Sequence, residues 1–496
     1  MTDATHSGPP PAAGAPPSTS LDAQLLRTAL VVILGSIMSV LDTTIINVAI
    51  KELSRSFQAS LVTTQWVSTG YTLALATTIP LAGWAADRFG TKRLYITSIL
   101  LFLAGSALSG MAWSAQSLIL FRVVQGLGGG MIMPAGMTIL SHEAGPHRMG
   151  RVMGLVGVPM LLGPIIGPIL GGWLVDDASW RWIFFVNIPI GLTAVLAAMF
   201  VLERDETKHH HTLDVLGLLL LSPGLALFVF GLAQMAATGS FSSLAGMGSL
   251  VGGLALVLGF ILHARRSAGA LIDVRLFTRR AVGTAALTTF LFGAAFFGVA
   301  LLLPLYFQMV RGQSALHSGL LLAVQGLGAM VTMPISSRMT DKIGPGKIVL
   351  TGLTLFSIGV FGLSRLDSVT PFWQVELTLF FIGLGIGSTM MPAITAALVT
   401  LQRHEIARAT SGLTVVQRVG GSIGTALLAV TLAQEIAHLV PVGGARPQPA
   451  LVAQAFGHTF LWALLIALVA LVSAGFIPRR KAELAGVAQP APAFVE

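Results

Sequence analysis

Asp42 is the residue whose surroundings most constrain its chemistry. It stands in Ser39-Val40-Leu41-Asp42-Thr43-Thr44-Ile45-Ile46-Asn47-Val48-Ala49, inside an apolar run over 28–50. Gly35, Ser39, Asp42 and Ala49 share roughly one helical stripe, so the carboxyl is expected to face a close-packed or wet interior rather than lipid. An ionised side chain at the centre of a membrane costs about 3 kcal/mol or more, so such residues usually have a partner and a function. Burial disfavours the charged form of a carboxyl and a nearby cation favours it. An acid placed here can therefore bind and release a proton as its surroundings change. The competing reading is a neutral carboxyl that acts only as a hydrogen-bonding spacer.

Two cations also fall inside apolar runs. Arg122 and Gln125 sit in Phe121-Arg122-Val123-Val124-Gln125-Gly126, just within a run over 117–139. A buried guanidinium needs a carboxylate, carbonyls or water, and can act on any acid that approaches it. The alternative is an arginine whose head reaches the nearer interface. Arg418 lies beside Gln417 and before Gly420-Gly421-Ser422-Ile423-Gly424, well inside a run over 410–434. Arg418, Asn47, Gln125 and Glu376 are candidates for a substrate path or gate. Glu376 stands only a few residues into its run, which also suits an interfacial position.

A third kind of pattern uses small residues. Gly163-Pro164, Gly167-Pro168 and Gly171-Gly172 recur at intervals of four, so Gly163, Gly167 and Gly171 line one helical face. Such a face lets two backbones approach closely, while each proline removes one hydrogen bond and permits bending. The expected structure is a dry seam between two halves of the molecule. Gly83-Trp84-Ala85-Ala86-Asp87-Arg88-Phe89-Gly90-Thr91-Lys92-Arg93 reads as a tight turn in which Gly90 takes a positive φ. Its charges suit a conformational latch, against the plainer reading of charge that only sets topology. Trp180, Arg181 and Trp182 suit an interfacial aromatic belt. The His209-His210-His211 run has no visible metal-ligand partners and is expected to be solvated; no metal or other cofactor is implied.

The elements that carry these residues are membrane helices. Hydrophobic residues make up 54% of the 496 and charged residues only 10%, where soluble domains carry roughly 25% charged. No Cys is present, which excludes disulfides, thiolate metal sites and Cys nucleophiles. No phosphate-binding loop, HExxH or GxSxG pattern occurs, so an enzyme is not expected. The net charge of +9 is scattered in short clusters between apolar runs, which argues against nucleic acid. Runs of about 20 apolar residues, enough to span a bilayer, fall at 28–50, 65–86, 94–112, 117–139, 151–173, 182–202, 214–234, 243–262, 281–303, 316–338, 347–365, 371–397, 410–434 and 457–477. That makes about fourteen spans, the seventh and eighth being the least marked. With the N-terminus cytoplasmic, 21 of 29 Lys and Arg fall in cytoplasmic segments, and both termini come out inside.

The chain also repeats itself. Thr78-Ile79-Pro80 through Gly90 parallels Thr332-Met333-Pro334 through Gly344, at an offset of 254. Gly126, Gly128 and Met133-Pro134-Ala135 likewise parallel Gly383, Gly385 and Met391-Pro392-Ala393. The economical architecture is all-α: a disordered cytoplasmic tail (1–27), a six-helix bundle (28–202), two inserted helices with linkers (203–280), a second six-helix bundle (281–477) and a cytoplasmic tail (478–496). Repeats of this kind commonly place a substrate site between the halves.

Taken in order, these segments resemble the major facilitator superfamily, and within it the fourteen-span drug:proton antiporters of the EmrB/QacA type. The resemblance is carried by Leu41-Asp42 with Thr44 and Asn47-Val48-Ala49, by Gly83 to Arg93, by Arg122 with Gln125-Gly126, and by the glycine-proline series from Gly163 to Gly172. Further marks are Trp180 to Gly191 and Arg418 to Gly424. Lys51 stands where the family usually has proline, and Thr91 where it usually has a base. The resemblance implies an antiporter in the cytoplasmic membrane, with Asp42 as proton carrier, Arg122 as its switching partner and the glycine-proline series as the antiport seam. Its implied partners are protons, lipophilic small molecules and membrane lipid. The expected state is a monomer, and a periplasmic adaptor is left open. Export of one dedicated metabolite, or proton-coupled nutrient symport on the same fold, remains an alternative.

Overall fold

The computed structural model describes residues 23–203, 213–238, 244–267, 270–398, 401, 403–439 and 448–477. Among them the regular elements are helices. The first bundle contains α1 (Ala23–Ser56), α2 (Leu61–Phe89), α3 (Thr91–Gly110), α4 (Ala115–Asp177), the short α5 (Trp182–Phe185) and α6 (Asn187–Val201). Next come α7 (Val215–Thr238) and α8 (Leu244–Arg266). The second bundle contains α9 (Arg280–Met309), α10 (Ala315–Ile343), α11 (Pro345–Ser364), α12 (Phe372–Leu398), α13 (Arg403–Leu439) and α14 (Pro449–Ala474). Local chemistry sets several starts. Ser60, Ser114 and Ser314 each accept a hydrogen bond from the amide three residues on, and Pro345 and Pro449 occupy first turns where no amide is needed.

Helix α4 runs through 63 residues, which would reach about 95 Å if straight. It cannot be straight, because Arg122 and Gly163 touch Asp42 and Val40, neighbours on α1. The chain therefore doubles back, and the two arms of α4 occupy the places of the fourth and fifth expected spans. Twelve described helices are long and apolar enough to cross a membrane. The remaining two expected spans, over 65–86 and 151–173, lie in α2 and the second arm of α4, where several side chains fall outside the described set.

Each bundle has its own core. One apolar cluster joins Tyr306, Phe356, Phe456 and Phe460 across α9, α11 and α14; others join Tyr95, Phe102 and Ala194 or Ile45, Ile183 and Phe184 within α1–α6. Helices α7 and α8 pack as a pair, and Leu221, Leu225 and Phe260 meet Ile79 of α2 and Val415 of α13, so the pair bridges the two bundles. The outer face of α8 exposes Val251, Leu254, Leu258 and Leu262, a stripe suited to lipid. The repeat is visible in the backbone: Gly90 and Gly344 both hold φ near +90°, at 89° and 90°, a conformation that side chains oppose. Trp180 departs from the expected aromatic belt. It is buried against Phe57 and Phe184, because α5 turns inward, whereas Trp182 is exposed.

Candidate functional site

Asp42 and Arg122 meet inside the first bundle as a fully buried ion pair, Oδ2 to Nη1 at 2.5 Å. Gln125, one turn beyond Arg122, accepts from the same Nη1 at 2.8 Å and donates through Nε2 to Asp42 Oδ1 at 2.9 Å. The guanidinium lies 4.0 Å from the centre of the Tyr71 ring, and its Nε donates to the Val67 carbonyl at 3.2 Å. Two further side chains complete the network. Asn187, the first residue of α6, donates to Asp42 Oδ1 at 3.2 Å and to Ser106 Oγ at 3.1 Å. Ser106 of α3 also accepts from Gln125 and donates to the Phe184 carbonyl at 2.9 Å. All six helices of the bundle thus contribute an atom or a ring face to one dry polar site.

Asp42 Oδ1 accepts from two side-chain amides and its Oδ2 from a guanidinium, so both carboxyl oxygens are held by buried donors. The site also holds unspent capacity: Arg122 Nη2 and Asn187 Oδ1 are buried without partners among the described residues. Such orphaned groups are costly. Asn187 and Ser106 were not among the candidates read from the sequence. An isolated Asn after an aromatic run was the available signal for the first, and a lone Ser in an apolar helix carried none.

The other candidates disperse. Asn47 is half-buried on α1, and Arg418 is half-buried on α13 with its guanidinium 5.8 Å from the Phe297 ring centre. Glu376 is exposed in the first turns of α12, which suits the interfacial position. In the glycine-proline series, an added Cβ at Gly163, Gly167 or Gly171 would stand 2.3, 2.0 and 2.6 Å from Val40, Thr44 and Ile45 of α1. That face therefore packs within the first bundle and is not the seam between halves. The contact between halves lies beside it: a Cβ on Gly172 would stand 2.4 Å from Leu316 Cα, and one on Gly319 of α10 2.1 Å from the Pro168 carbonyl. The side chain of Pro164 is outside the described set.

Of the turn residues, Lys92 donates to the carbonyls of Met199 and Leu202, at the C-terminal end of α6, where cations are favoured. Arg88 and Arg93 are exposed. Gly83 lies within α2, the side chain of Asp87 is outside the described set, and the His209–His211 run falls outside the described residues.

On the side expected to face outward, the halves are tied together. Lys51 Nζ donates to the Gln308 carbonyl at 3.0 Å, and Gln308 Nε2 to the Val48 carbonyl at 3.3 Å. Asp176, at the end of α4, accepts from the backbone amides of Ala315 and Leu316 at 3.3 and 2.7 Å. A carboxylate of one half thus caps a helix of the other.

The model of the Major Facilitator Superfamily matches residues 32–425. The chain is 43% identical to a "Multidrug resistance protein B homolog" of Mycobacterium tuberculosis (strain ATCC 25618 / H37Rv), over 93% of this chain and 92% of that protein. It is 32% identical to the "Multidrug export protein EmrB" of Haemophilus influenzae (81% of this chain, 79% of that protein). It is 30% identical to the "Tetracenomycin C resistance and export protein" of Streptomyces glaucescens (89% and 82%). Among solved structures, a D-xylose-proton symporter superposes with a TM-score of 0.65 at 15% identity, over 92% of this chain and 99% of that one, which speaks to fold alone. The helical architecture, the two bundles and these matches lead to one conclusion: the chain is a multi-pass membrane protein belonging to the Major Facilitator Superfamily.

Proposed function

We propose that this protein is a proton-coupled multidrug exporter of lipophilic compounds, working by alternating access in the cytoplasmic membrane with both termini inside. Kinship to proteins named for multidrug resistance and multidrug export supports the efflux reading. The observation that carries proton coupling is the sealed Asp42–Arg122 pair with its unspent hydrogen-bonding groups. In this reading Asp42 is ionised while Arg122, Gln125 and Asn187 hold it. Protonation neutralises the carboxylate, weakens the pair and frees Arg122, so that the helices carrying the network can rearrange. The ties through Asp176 and Lys51 keep the outer side closed in the present state and must break when the site opens outward. Twelve helices pass the length test, and the fourteen-span layout remains the reading that best accommodates α2 and the returning arm of α4.

The experiment is export into inverted membrane vesicles under an imposed pH gradient. A lipophilic dye should accumulate with the gradient, release protons from the lumen in exchange, and cease to accumulate on addition of a protonophore. Accumulation that ignores the gradient would refute proton coupling. Net movement in the opposite direction under the same gradient would favour symport.

A further inference from the structure

We infer that Arg418 is a charge-selecting contact for substrate, and that this exporter takes aromatic compounds bearing an acidic group in preference to organic cations. The inference rests on the efflux reading and adds a substrate class to it.

The sequence is poor in acids inside its expected spans. Of its 20 acidic residues, Asp42 is the one in the middle of an expected span; Asp214 and Glu376 stand at span ends, and the rest lie in loops, tails or just beyond the spans. Asp42 is already paired with Arg122, and that pair is sealed within the first bundle. Arg418 therefore has no acid left to neutralise it at its depth. The interior carries one uncompensated positive charge.

The geometry agrees with the inventory. Arg418 makes no side-chain hydrogen bond or ion pair with the described residues; its one close neighbour of note is the Phe297 ring, 5.8 Å from Cζ. Val415, about one turn before Arg418, packs with Ile79 of α2, which belongs to the other half. Unlike Arg122, which has no exposed surface, Arg418 is only half-buried. Its helix is packed tightly on the opposite side. A Cβ on Gly420 or Gly424 would stand 2.2 or 2.0 Å from the carbonyls of Phe290 and Ala294 on α9. Arg418 thus stands half-buried on a helix whose glycine side is closed against α9, and that helix also meets α2 of the other half.

An unpaired guanidinium at membrane depth is expensive. Its planar fork of donors matches carboxylate, sulfonate or paired carbonyl oxygens. Half-buried Phe296 and Phe297 offer ring faces beside it for an aromatic body. A permanent cation entering the same space would meet like charge with no free acid to offset it. Coupling to protons then passes through rearrangement of the helices and needs no contest between substrate and proton for Asp42.

The test uses two probes of nearly the same shape and opposite charge, tetraphenylborate and tetraphenylphosphonium. Their binding to full-length protein in nanodiscs is measured by equilibrium dialysis, with empty nanodiscs subtracted. Wild type should bind the anion more tightly by about tenfold or more, since one unit charge a few ångströms away is worth at least a decade at an effective dielectric of about 20. Arg418→Lys should keep that order, Arg418→Gln should erase it and Arg418→Glu should reverse it. Equal or tighter binding of the cation by wild type would overturn the inference, as would an unchanged ratio in Arg418→Glu. Gradient-driven export of the neutral dye N-phenyl-1-naphthylamine is followed in parallel. If wild type exports the dye while the charge order fails to follow residue 418, the inference falls alone. If wild type moves neither dye nor ions, the efflux reading falls and takes the inference with it. If Arg418→Gln binds both ions as wild type does but stops all export, Arg418 serves coupling, and the selection role is wrong.

Discussion

Asn187 donates its side-chain amide to the carboxylate of Asp42 at 3.2 Å, across 145 positions of sequence. Among the described residues it is the link by which α6 reaches the candidate proton site, and it makes Asp42 Oδ1 a double acceptor. The amide oxygen of the same residue is buried without a partner. One side chain is therefore equipped to serve both states of Asp42: it donates to the carboxylate now, and it can accept from a protonated carboxyl after a flip.

This relationship predicts a pH signature. Asn187→Ala removes one of the two donors to Asp42 Oδ1, a contact of a kind worth roughly 1.5–3 kcal/mol when the acceptor is charged, so the pH profile of export should change. Asn187→Asp places a second carboxyl beside the same oxygen and should alter the profile too. A purely structural Asn187 would lower the amount of folded protein and leave the profile of the remainder unmoved. Export rate against lumenal and external pH, normalised to inserted protein, separates the two.

The glycine face of α4 predicts a specific steric conflict. A Cβ at Gly167 would lie 2.0 Å from Thr44 Oγ1 and 2.9 Å from Thr44 Cβ. Gly167→Ala should cost about 1–3 kcal/mol of stability, typical of an overpacked contact, and Gly167→Leu should abolish export. Thr44→Ala removes the nearer atom and should recover part of the loss in the double variant, a coupling visible in a thermal-stability cycle. Additive effects would show that α1 and α4 separate more readily than their packing implies.

The cap that Asp176 places on α10 predicts a conformational bias. Asp176→Ala leaves the amides of Ala315 and Leu316 without their acceptor and removes a negative charge from a helix N-terminus. Loss of such a cap costs about 0.5–2 kcal/mol, and the loss falls on the outward-closed state, so the opened population should rise about two- to thirtyfold. Ser318 is fully buried one turn along α10. Ser318→Cys should therefore react faster with an impermeant thiol reagent when Asp176 is absent. An unchanged rate would mean that the cap does not hold the halves together. Because the native chain has no Cys, the same chemistry tests sidedness. Gln313→Cys should be labelled in intact cells and Ser267→Cys only after permeabilisation.

Much of this molecule was legible in the sequence because polar residues inside apolar runs are conspicuous. Asp42, Arg122 and Gln125 each stood out alone, and the structure brings them within hydrogen-bonding distance. What could not be read was lateral arrangement. A four-residue glycine spacing identifies one face of a helix but not the neighbour it meets; here the face meets α1, and the contact between halves falls on Pro168 and Gly172. Ser106 and Asn187 escaped for a related reason, since their roles depend on the rotation of α3 and α6 about their axes. Helices α7 and α8 were the faintest spans, yet both form, because they gain their packing from each other and from Ile79 and Val415. Glu376 stands a few residues into α12 and is exposed there, in keeping with the interfacial position that its place in the run suggested.

The most direct prediction concerns Asp42 itself. Moving one charge across a membrane is worth about 2.3 kcal/mol per 100 mV, so a single titrating carboxyl can drive useful accumulation. Asn keeps nearly the shape of Asp, and its carbonyl oxygen can still accept from Arg122, Gln125 or Asn187, but it cannot exchange a proton. Asp42→Asn should reach the membrane at normal levels and bind lipophilic dye, while gradient-driven export falls to the level of empty vesicles. Asp42→Glu keeps the carboxyl on a longer arm; it should retain part of the activity, with an altered pH profile because the donors around Oδ1 no longer fit. Arg122→Gln should fail differently: it takes the guanidinium donor from Asp42 Oδ2 inside the buried site, and gradient-driven export should fall by about tenfold or more. The deciding measurement is proton release from inverted vesicles on addition of substrate. Release from Asp42→Asn equal to that of wild type would remove Asp42 as the carrier. It would also reduce the buried pair to a structural brace, a role that a neutral amide in the same place can fill.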